Sequence, residues 1–416
     1  MLKNESHECS FMWPGKEAAR NAAAGHSTHS LKILKGRSVC PDTTENIFIE
    51  GDNLEALKLL NESHSGSVKV IYIDPPYNKG GSFVYSDRLD QTHADWLSMI
   101  FPRLLLSREL LCEDGAIFVS IDDNEVHNLR MVMNEVFGES NFVASIIWEK
   151  KSSPQNDARW FSDNHDYILV YARNKELWRP RLLPRTDETD SRYKNHDDDP
   201  RGPWTSSDLT VKTYNKDYDY VIITPSGRDV SPPPGRCWGM SHDSFNSLVA
   251  DNRIWFGSNG SNVPRLKRFL SEVKQGLTPC TIWRRSEVGD NQEARRTIRQ
   301  IFGDVGIFET PKPLRLMKQI LHISTEPFRN DTVLDFFAGS CTTAQAVLEQ
   351  NEADGGNRRF IMVQLPETVP ESSRAYDAGF TTVSEIGAER IRRVIESMES
   401  DSKDASPLGF KLYQIA

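Results

Sequence analysis

Val68-Lys-Val-Ile-Tyr-Ile-Asp-Pro-Pro-Tyr77 is the stretch that decides the fold. Its first six residues are nearly continuous in apolar and β-branched side chains. A strand of that kind is buried on both faces, as in a parallel sheet flanked by helices. Two prolines then end it, because neither can donate to a ladder. The stretch therefore reads as a central strand that stops at an acidic residue, Asp74, at the sheet edge where open α/β proteins place their ligands.

Outward from it the same rhythm repeats. Upstream, Asn46–Asp52 reads as a short strand ending in Gly-Asp, followed by a helix carrying Leu54, Leu57, Leu59 and Leu60. Downstream, Trp96–Leu111 has helical period. Ala116–Ile121 is a strand, Glu125–Phe137 a helix closed by Gly138, and Ser145–Trp148 and Asp166–Ala172 are further strands. Strands alternating with helices predict an α/β sheet with crossover connections. From about Arg173 to Phe308 that rhythm stops, and prolines, tryptophans and charges take over. It then returns, with helix Leu314–Leu321, strand Thr332–Phe337, helix Thr342–Gln350, strand Arg359–Leu365, helix Ser384–Ser397 and a terminal strand Phe410–Ile415. The chain thus divides into four segments: 1–43, expected to be a loosely packed arm; 44–172, a first α/β half; 173–308, an insertion; and 309–416, a second α/β half.

Composition narrows the class. At 416 residues and 38% hydrophobic content the chain is long enough for one large core plus an insertion. No apolar run reaches membrane-spanning length, and no export signal is evident, which predicts a cytoplasmic protein. The six cysteines are scattered, without zinc spacing, so a reduced protein with no metal site is expected. No phosphate-binding Gly-x-x-x-x-Gly-Lys-Ser/Thr loop is present. The net charge of −9 argues against a wholly basic nucleic-acid binder, but residues 251–300 hold ten lysines and arginines against five acids. That segment reads either as a phosphate-binding face or as a solvated surface.

Two sites carry chemistry. At Asp74-Pro75-Pro76-Tyr77 a carboxylate can accept a hydrogen bond from an exocyclic amine. The Pro75 carbonyl offers a second acceptor with no N–H of its own. Two acceptors on one nitrogen favour a tetrahedral amine with an available lone pair, and Tyr77 suits base stacking. The competing reading is a strand ending in a proline turn. At Val333-Leu-Asp-Phe-Phe-Ala-Gly-Ser340 a strand meets a small-residue turn and a helix start, where a ligand can approach the backbone and meet unpaired N–H groups. An ordinary tight turn would look the same.

Taken together, these residues resemble the amino-group DNA methyltransferases of the β arrangement, in which Asp-Pro-Pro-Tyr precedes a Phe-x-Gly-x-Gly cofactor motif with a target-recognition region between them. Trp13-Pro14-Gly15-Lys16, Ile49–Leu57, Ile121–Glu125, Thr310-Pro311-Lys312-Pro313 and Val363–Glu367 look like the Mod subunits of type III restriction–modification systems. The resemblance implies a Rossmann-like, circularly permuted fold, with a mostly parallel seven-stranded sheet, helices on both faces and an inserted recognition domain. It implies site-specific transfer of a methyl group from S-adenosyl-L-methionine to N6 of adenine in double-stranded DNA, with the base flipped out of the helix.

Residue by residue, the resemblance makes Asp74, Pro75, Pro76 and Tyr77 catalytic, with Phe83 or Tyr85 assisting the stacking. It assigns Asp52, Lys312, Pro313, Asp335, Phe337, Ala338, Gly339, Ser340 and Gln364 to the cofactor, with Gln364 or Glu367 near the ribose. Asp52 reads equally as a helix N-cap. Cys341 departs from the pattern, standing where the motif usually has glycine. A homodimer and a helicase–nuclease restriction subunit are the partners implied. Trp238, Trp255 and Trp283 are expected in the core of the insertion. Rival readings are N4-cytosine methylation, for which relatives tend to carry Ser at position 74; methylation of RNA or a protein amide, with Asn there; and a DNA-binding specificity subunit without catalysis.

Overall fold

The computed structural model describes residues 11–79, 92–156, 158–303, 305–401 and 407–416. These form two compact units, one of residues 1–181 with 279–416 and one of residues 182–278. Phe83 and Tyr85 lie outside the described residues.

Among the described residues, the larger unit is built on ten strands. In chain order they are β1 (Leu31–Ile33), β2 (Ile47–Glu50), β3 (Val68–Ile73), β4 (Leu111–Ile121), β5 (Phe142–Glu149), β6 (His165–Ala172), β7 (Ile282–Trp283), β8 (Thr332–Asp335), β9 (Arg359–Gln364) and β10 (Lys411–Ile415). Across the sheet they run β1-β10-β2-β9-β8-β3-β4-β6-β5-β7. β6 is antiparallel to both of its neighbours and β1 is antiparallel to β10; every other pairing is parallel. The expected seven strands are the continuous middle, β2-β9-β8-β3-β4-β6-β5. The sheet grows to ten because β10 and β1 extend one edge and β7 the other.

Eight described helices of this unit are longer than one turn: α1 (Lys16–Ala24), α2 (Asn53–His64), α3 (His93–Leu110), α4 (Val126–Phe137), α5 (Asn291–Ile301), α6 (Leu314–Ser324), α7 (Thr342–Asp354) and α8 (Val383–Asp401). The central strand β3 explains the layering. All six of its residues are buried, so apolar side chains leave it on both faces. On one side Ile71 and Ile73 join Leu57, Leu60, Trp96, Ile100 and Leu104 of α2 and α3. On the other, α6 packs on β3 and α7 while α7 and α8 pack on β9. Replacing a residue such as Ile71 by alanine is expected to cost about 2–5 kcal/mol through lost burial and the cavity left behind.

Two expectations need correction. Residues 11–43 are not a loose arm: Trp13 is buried against Phe101 and donates from Nε1 to Ser98 Oγ at 3.0 Å, α1 lies on α3, and β1 completes the sheet edge. Apolar Phe11 and Trp13 anchor that segment. The separate unit is also shorter than 173–308. Residues 279–308 belong to the sheet unit, where Trp283 pairs with Trp148 across β7 and β5.

The smaller unit has its own core of Leu209, Ile222, Val230, Trp238, Phe245 and Ile254, under the helix His242–Ala250. A three-stranded sheet of Ile254–Trp255, Arg265–Phe269 and Trp204–Ser207 backs it. Lys267 is fully buried there because Asp197 and Asp199 both meet its ammonium.

Candidate active site

Asp74 and Asp335 end up side by side because β3 and β8 are neighbouring parallel strands that both run out at the same sheet edge. Beyond those strand ends lies a cavity of about 370 Å³. Such a volume lies within the range of small-ligand pockets. Of the residues singled out in the sequence, Asp52, Asp74, Pro76, Lys312, Asp335, Phe337, Ala338, Gly339, Ser340, Gln364 and Glu367 line it. Pro75, Tyr77 and Pro313 do not line it. Pro75 is buried behind Asp74, and Pro313 caps the start of α6.

The loop after β8 is held by several hydrogen bonds. Asp335 Oδ1 accepts from the Phe337 amide at 3.1 Å and Oδ2 from Thr343 Oγ1 at 2.6 Å. Burial pushes the Asp335 carboxyl up to about 7 despite those donors. Gly339 has a φ of 51° and donates its amide to Gln364 Oε1 at 2.6 Å, which ties the turn to the end of β9. Cys341 also takes a left-handed conformation, φ 58° and ψ 39°, at the N-cap of α7. That conformation explains the family preference for glycine there, since a side chain in it costs roughly 1–2 kcal/mol. The thiol is buried facing Gly387 of α8, where a β-carbon would come within 2.7 Å of Sγ. Desolvation raises the thiol well above its ordinary range, so it is a packing group and not a nucleophile.

Behind this loop stands a residue that sequence reasoning did not single out. Arg390 of α8 is 1% exposed. Its Nη1 donates to Ser340 O at 3.1 Å, Ser340 Oγ at 3.0 Å and Thr342 Oγ1 at 2.7 Å, and its Nε to Gln345 Oε1 at 2.9 Å. All four acceptors are neutral. Burial lowers this guanidinium to about 10, which leaves it a cation at neutral pH.

The loop after β3 is arranged differently. Asp74 Oδ2 is ion-paired with Lys312 Nζ. Oδ1 is buried and makes no well-formed hydrogen bond, although the Tyr77 hydroxyl lies near enough to favour the anion. Desolvation raises the Asp74 carboxyl, and attraction to Lys312 opposes that rise. The Tyr77 ring is faced by Lys312 Nζ at 5.3 Å and Lys79 Nζ at 5.9 Å. The Pro76 carbonyl accepts from Trp96 Nε1 at 2.7 Å, fixing the turn on α3. The 121–125 motif secures the chain just beyond Tyr77. Buried Glu125 accepts from Asn78 Nδ2 and Asn128 Nδ2, each at 2.8 Å, and meets His93 Nδ1 at 2.7 Å, while Asp122 pairs with Lys79.

Asp52 is the helix N-cap that its sequence position allows, and it also faces the cavity. Capping α2, its Oδ1 accepts from the Leu54 and Glu55 amides at 2.9 and 3.3 Å. Its Oδ2 accepts from Arg103 at 3.2 Å. Arg103 and Asn53, both cavity residues, were also missed by sequence reading; Asn53 donates to Phe336 O at 2.7 Å and so joins α2 to the end of β8.

The order of the two motifs, their meeting at adjacent strand ends and the shared cavity agree with what sequence comparison finds. The family model for DNA methylase matches residues 68–373. The chain belongs to the DNA methylase family. Among curated relatives, this methylase is 37% identical to the Mod subunit of the type III restriction–modification enzyme StyLTI of Salmonella typhimurium, over 90% of this chain and 60% of that subunit. It is 32% identical to the EcoPI Mod subunit of Escherichia phage P1, over 99% and 71% of the two chains. It is 30% identical to the type II methyltransferase M.KpnI of Klebsiella pneumoniae, over 88% and 92%. The methylase thus spans under two thirds of the StyLTI subunit's length.

Among its described residues no group of three His, Cys, Asp or Glu side chains is placed to hold a metal, and no helix is long and apolar enough to cross a membrane. The basic segment 251–300 is divided between the two units. Arg253, Arg265, Lys267, Arg268 and Lys274 fall in the smaller unit, and the arginines from 284 to 299 in the larger. Internal pairs also absorb Arg253, Lys267 and Arg285.

Proposed function

We propose that this methylase transfers a methyl group to the N6 amine of adenine within a short sequence of double-stranded DNA, as the cytoplasmic modification component of a restriction–modification system. The observation that carries the reading is the meeting of Asp74 with the Asp335–Ser340 turn across one cavity at the ends of adjacent strands.

The cavity suits S-adenosyl-L-methionine. Its size fits, Ala338, Gly339 and Ser340 present a small-residue wall, and the start of α7 offers unpaired N–H groups toward a carboxylate. When bound there, the cofactor supplies an electrophilic methyl group on a sulfonium sulfur. Asp335, Phe337, Ala338, Gly339 and Ser340 would hold its amino-acid end, and Asp52 and Gln364 its nucleoside, with Lys312 between that site and Asp74 and Pro313 behind Lys312 at the start of α6.

The protein's own work is positioning and electrostatics. The ion pair with Lys312 favours the Asp74 anion against the cost of burial, and the anion is the acceptor form. Its Oδ1 and the Pro75 carbonyl are the two acceptors for the exocyclic amine of a flipped adenine. Tyr77 stacks on the base, its hydroxyl end fixed beside Asp74. No protein nucleophile is needed, and the proton lost from nitrogen leaves after transfer.

Residues 182–278 are the candidate recognition unit, reading base edges with Arg, Asn and Gln side chains. A homodimer and a helicase–nuclease restriction subunit are the proposed partners.

Base-resolved mapping of DNA from cells expressing the wild-type chain or Asp74→Ala tests the reading. The expected result is N6-methyladenine at one short motif, absent in the variant. A mark on cytosine, or an equal mark with Asp74→Ala, would remove the assignment.

A further inference from the structure

Helix α5 presents two unlike faces. Ala294 and Ile298 are buried, Ile298 in a cluster that includes Phe302, Phe308, Val383 and Ile386. Its acidic residues also turn inward: Glu293 is bound by Arg315 of α6, and Asp290 caps the helix and meets Arg285. The outer face is cationic. Arg295, Arg296 and Arg299 are exposed, and among the described residues none makes a side-chain hydrogen bond or ion pair. They stand three and four apart on one helical face, where like charges repel and weaken a helix. A merely solvated face gains from interspersed acids, and this one has none.

A second observation comes from a different part of the chain. Exposed Arg374 lies in the helical turn Arg374–Asp377. Its Nη1 and the Nε and Nη2 of Arg299 converge over Gly306, at 3.4, 3.3 and 3.6 Å from the point where a β-carbon would stand. Two guanidinium groups are thus gathered over one spot, and among the described residues no carboxylate is ion-paired with either, as at a site for phosphate oxygens.

The placement fits the reaction. The Asn291 amide donates to Lys150 O at 3.0 Å, so α5 starts just beyond the end of β5, on the sheet edge that carries Asp74. The connection from α5 to α6 then supplies Phe308, Thr310, Pro311 and Lys312 to the cavity wall.

We propose that Arg295, Arg296, Arg299 and Arg374 form a docking face on the catalytic unit for the phosphate backbone of duplex DNA. The face rests on the DNA-methylase reading and adds to it. It positions the duplex beside Asp74 without reading sequence, leaving specificity to other contacts.

The test is a fluorescence-anisotropy titration of the full chain with a duplex of arbitrary sequence, from about 50 to 200 mM salt. The wild type is compared with Arg295→Gln/Arg296→Gln/Arg299→Gln/Arg374→Gln and with the milder Arg295→Gln/Arg299→Gln. Removing one arginine–phosphate pair should flatten the slope of log K against log salt by about 0.9, so the quadruple variant should lose about 3 to 4 from it. The double variant should lose about half as much, with melting temperature and S-adenosylhomocysteine affinity kept in both. Unchanged slopes in both variants would overturn the docking face while leaving the methylase reading intact. A wild-type chain with no affinity for duplex DNA would instead overturn the reading beneath it.

Discussion

The loops after β8 and β3 leave neighbouring strands at the same sheet edge, but they are built on opposite plans. In the first, the carboxylate, the turn amide, the Ser340 carbonyl and the two hydroxyls beyond it all have partners, and a buried arginine locks them from behind. In the second, the key carboxylate has one oxygen held by a lysine and one without a well-formed hydrogen bond. A surface that must match an unchanging ligand gains from being rigid in advance. A group that must act on an incoming amine needs an acceptor still open. Under the proposed function, the contrast would give ground-state binding to one loop and rate to the other.

The largest effect should come from breaking the open loop. Asp74→Asn should lower kcat by about 10²–10³-fold, the scale for one transition-state electrostatic contact. S-Adenosylhomocysteine affinity by calorimetry should stay within about threefold, because binding and rate depend on different contacts. A loss of affinity comparable to the loss of rate would erase the division between the loops.

Next in size is the lock. Arg390→Met leaves four buried acceptors without their donor, each worth about 1–3 kcal/mol if unrelieved. It should lower the melting temperature and weaken the cofactor product by at least about tenfold. Arg390→Lys, with charge but no planar fork, should fall between. Unaltered affinity in a folded Arg390→Met protein would show that the loop holds its own shape.

A smaller effect concerns pH. Burial pushes the Asp335 carboxyl up to about 7 in the folded chain, against an ordinary 3.8. The native state therefore holds a proton that the unfolded state has lost between those values. The stability contributed by this group is fully present below about pH 4 and is lost as pH rises to about 7. Asp335→Asn cannot titrate, so its melting temperature relative to wild type should climb across that window and level off above it. A constant difference would mean that the carboxyl is ionised throughout.

The smallest change is expected at the departure from the family pattern. Cys341→Gly relieves a left-handed side chain but adds backbone freedom worth roughly 0.5–1 kcal/mol, so stability should move by less than about 1 kcal/mol. Cys341→Val, branched at the β-carbon and facing Gly387, should be clearly destabilising by the same melting assay.

The central sheet and both loops were legible because each is a local pattern. Val68–Ile73 announces burial by its own residues, and Asp74–Tyr77 and Asp335–Ser340 are contiguous. Arg390 was not legible, since Arg390, Arg392 and Arg393 crowd together in a charged helix and only packing decides which faces inward. Strand β7 is two residues long and exists only because β5 offers it an edge. The basic segment misled for a related reason: two of its cations, Lys267 and Arg299, belong to different units, and one of them is buried.

Strand order has a consequence for how the protein is made. β3 lies between β8 and β4, yet β8 begins at Thr332, far along the chain from Ile73. During synthesis β2, β3, β4, β5 and β6 emerge well before β8 and β9 arrive to join β2 and β3. Until then, apolar strands present raw hydrogen-bonding edges, which are templates for aggregation. The cavity has no wall on its β8 side during that interval, so no ligand bound there could stabilise the nascent chain. Late closure of the sheet by nonlocal parallel pairing should make folding slow, and chaperone dependence and co-expression temperature should govern its yield more than the stability of the finished fold.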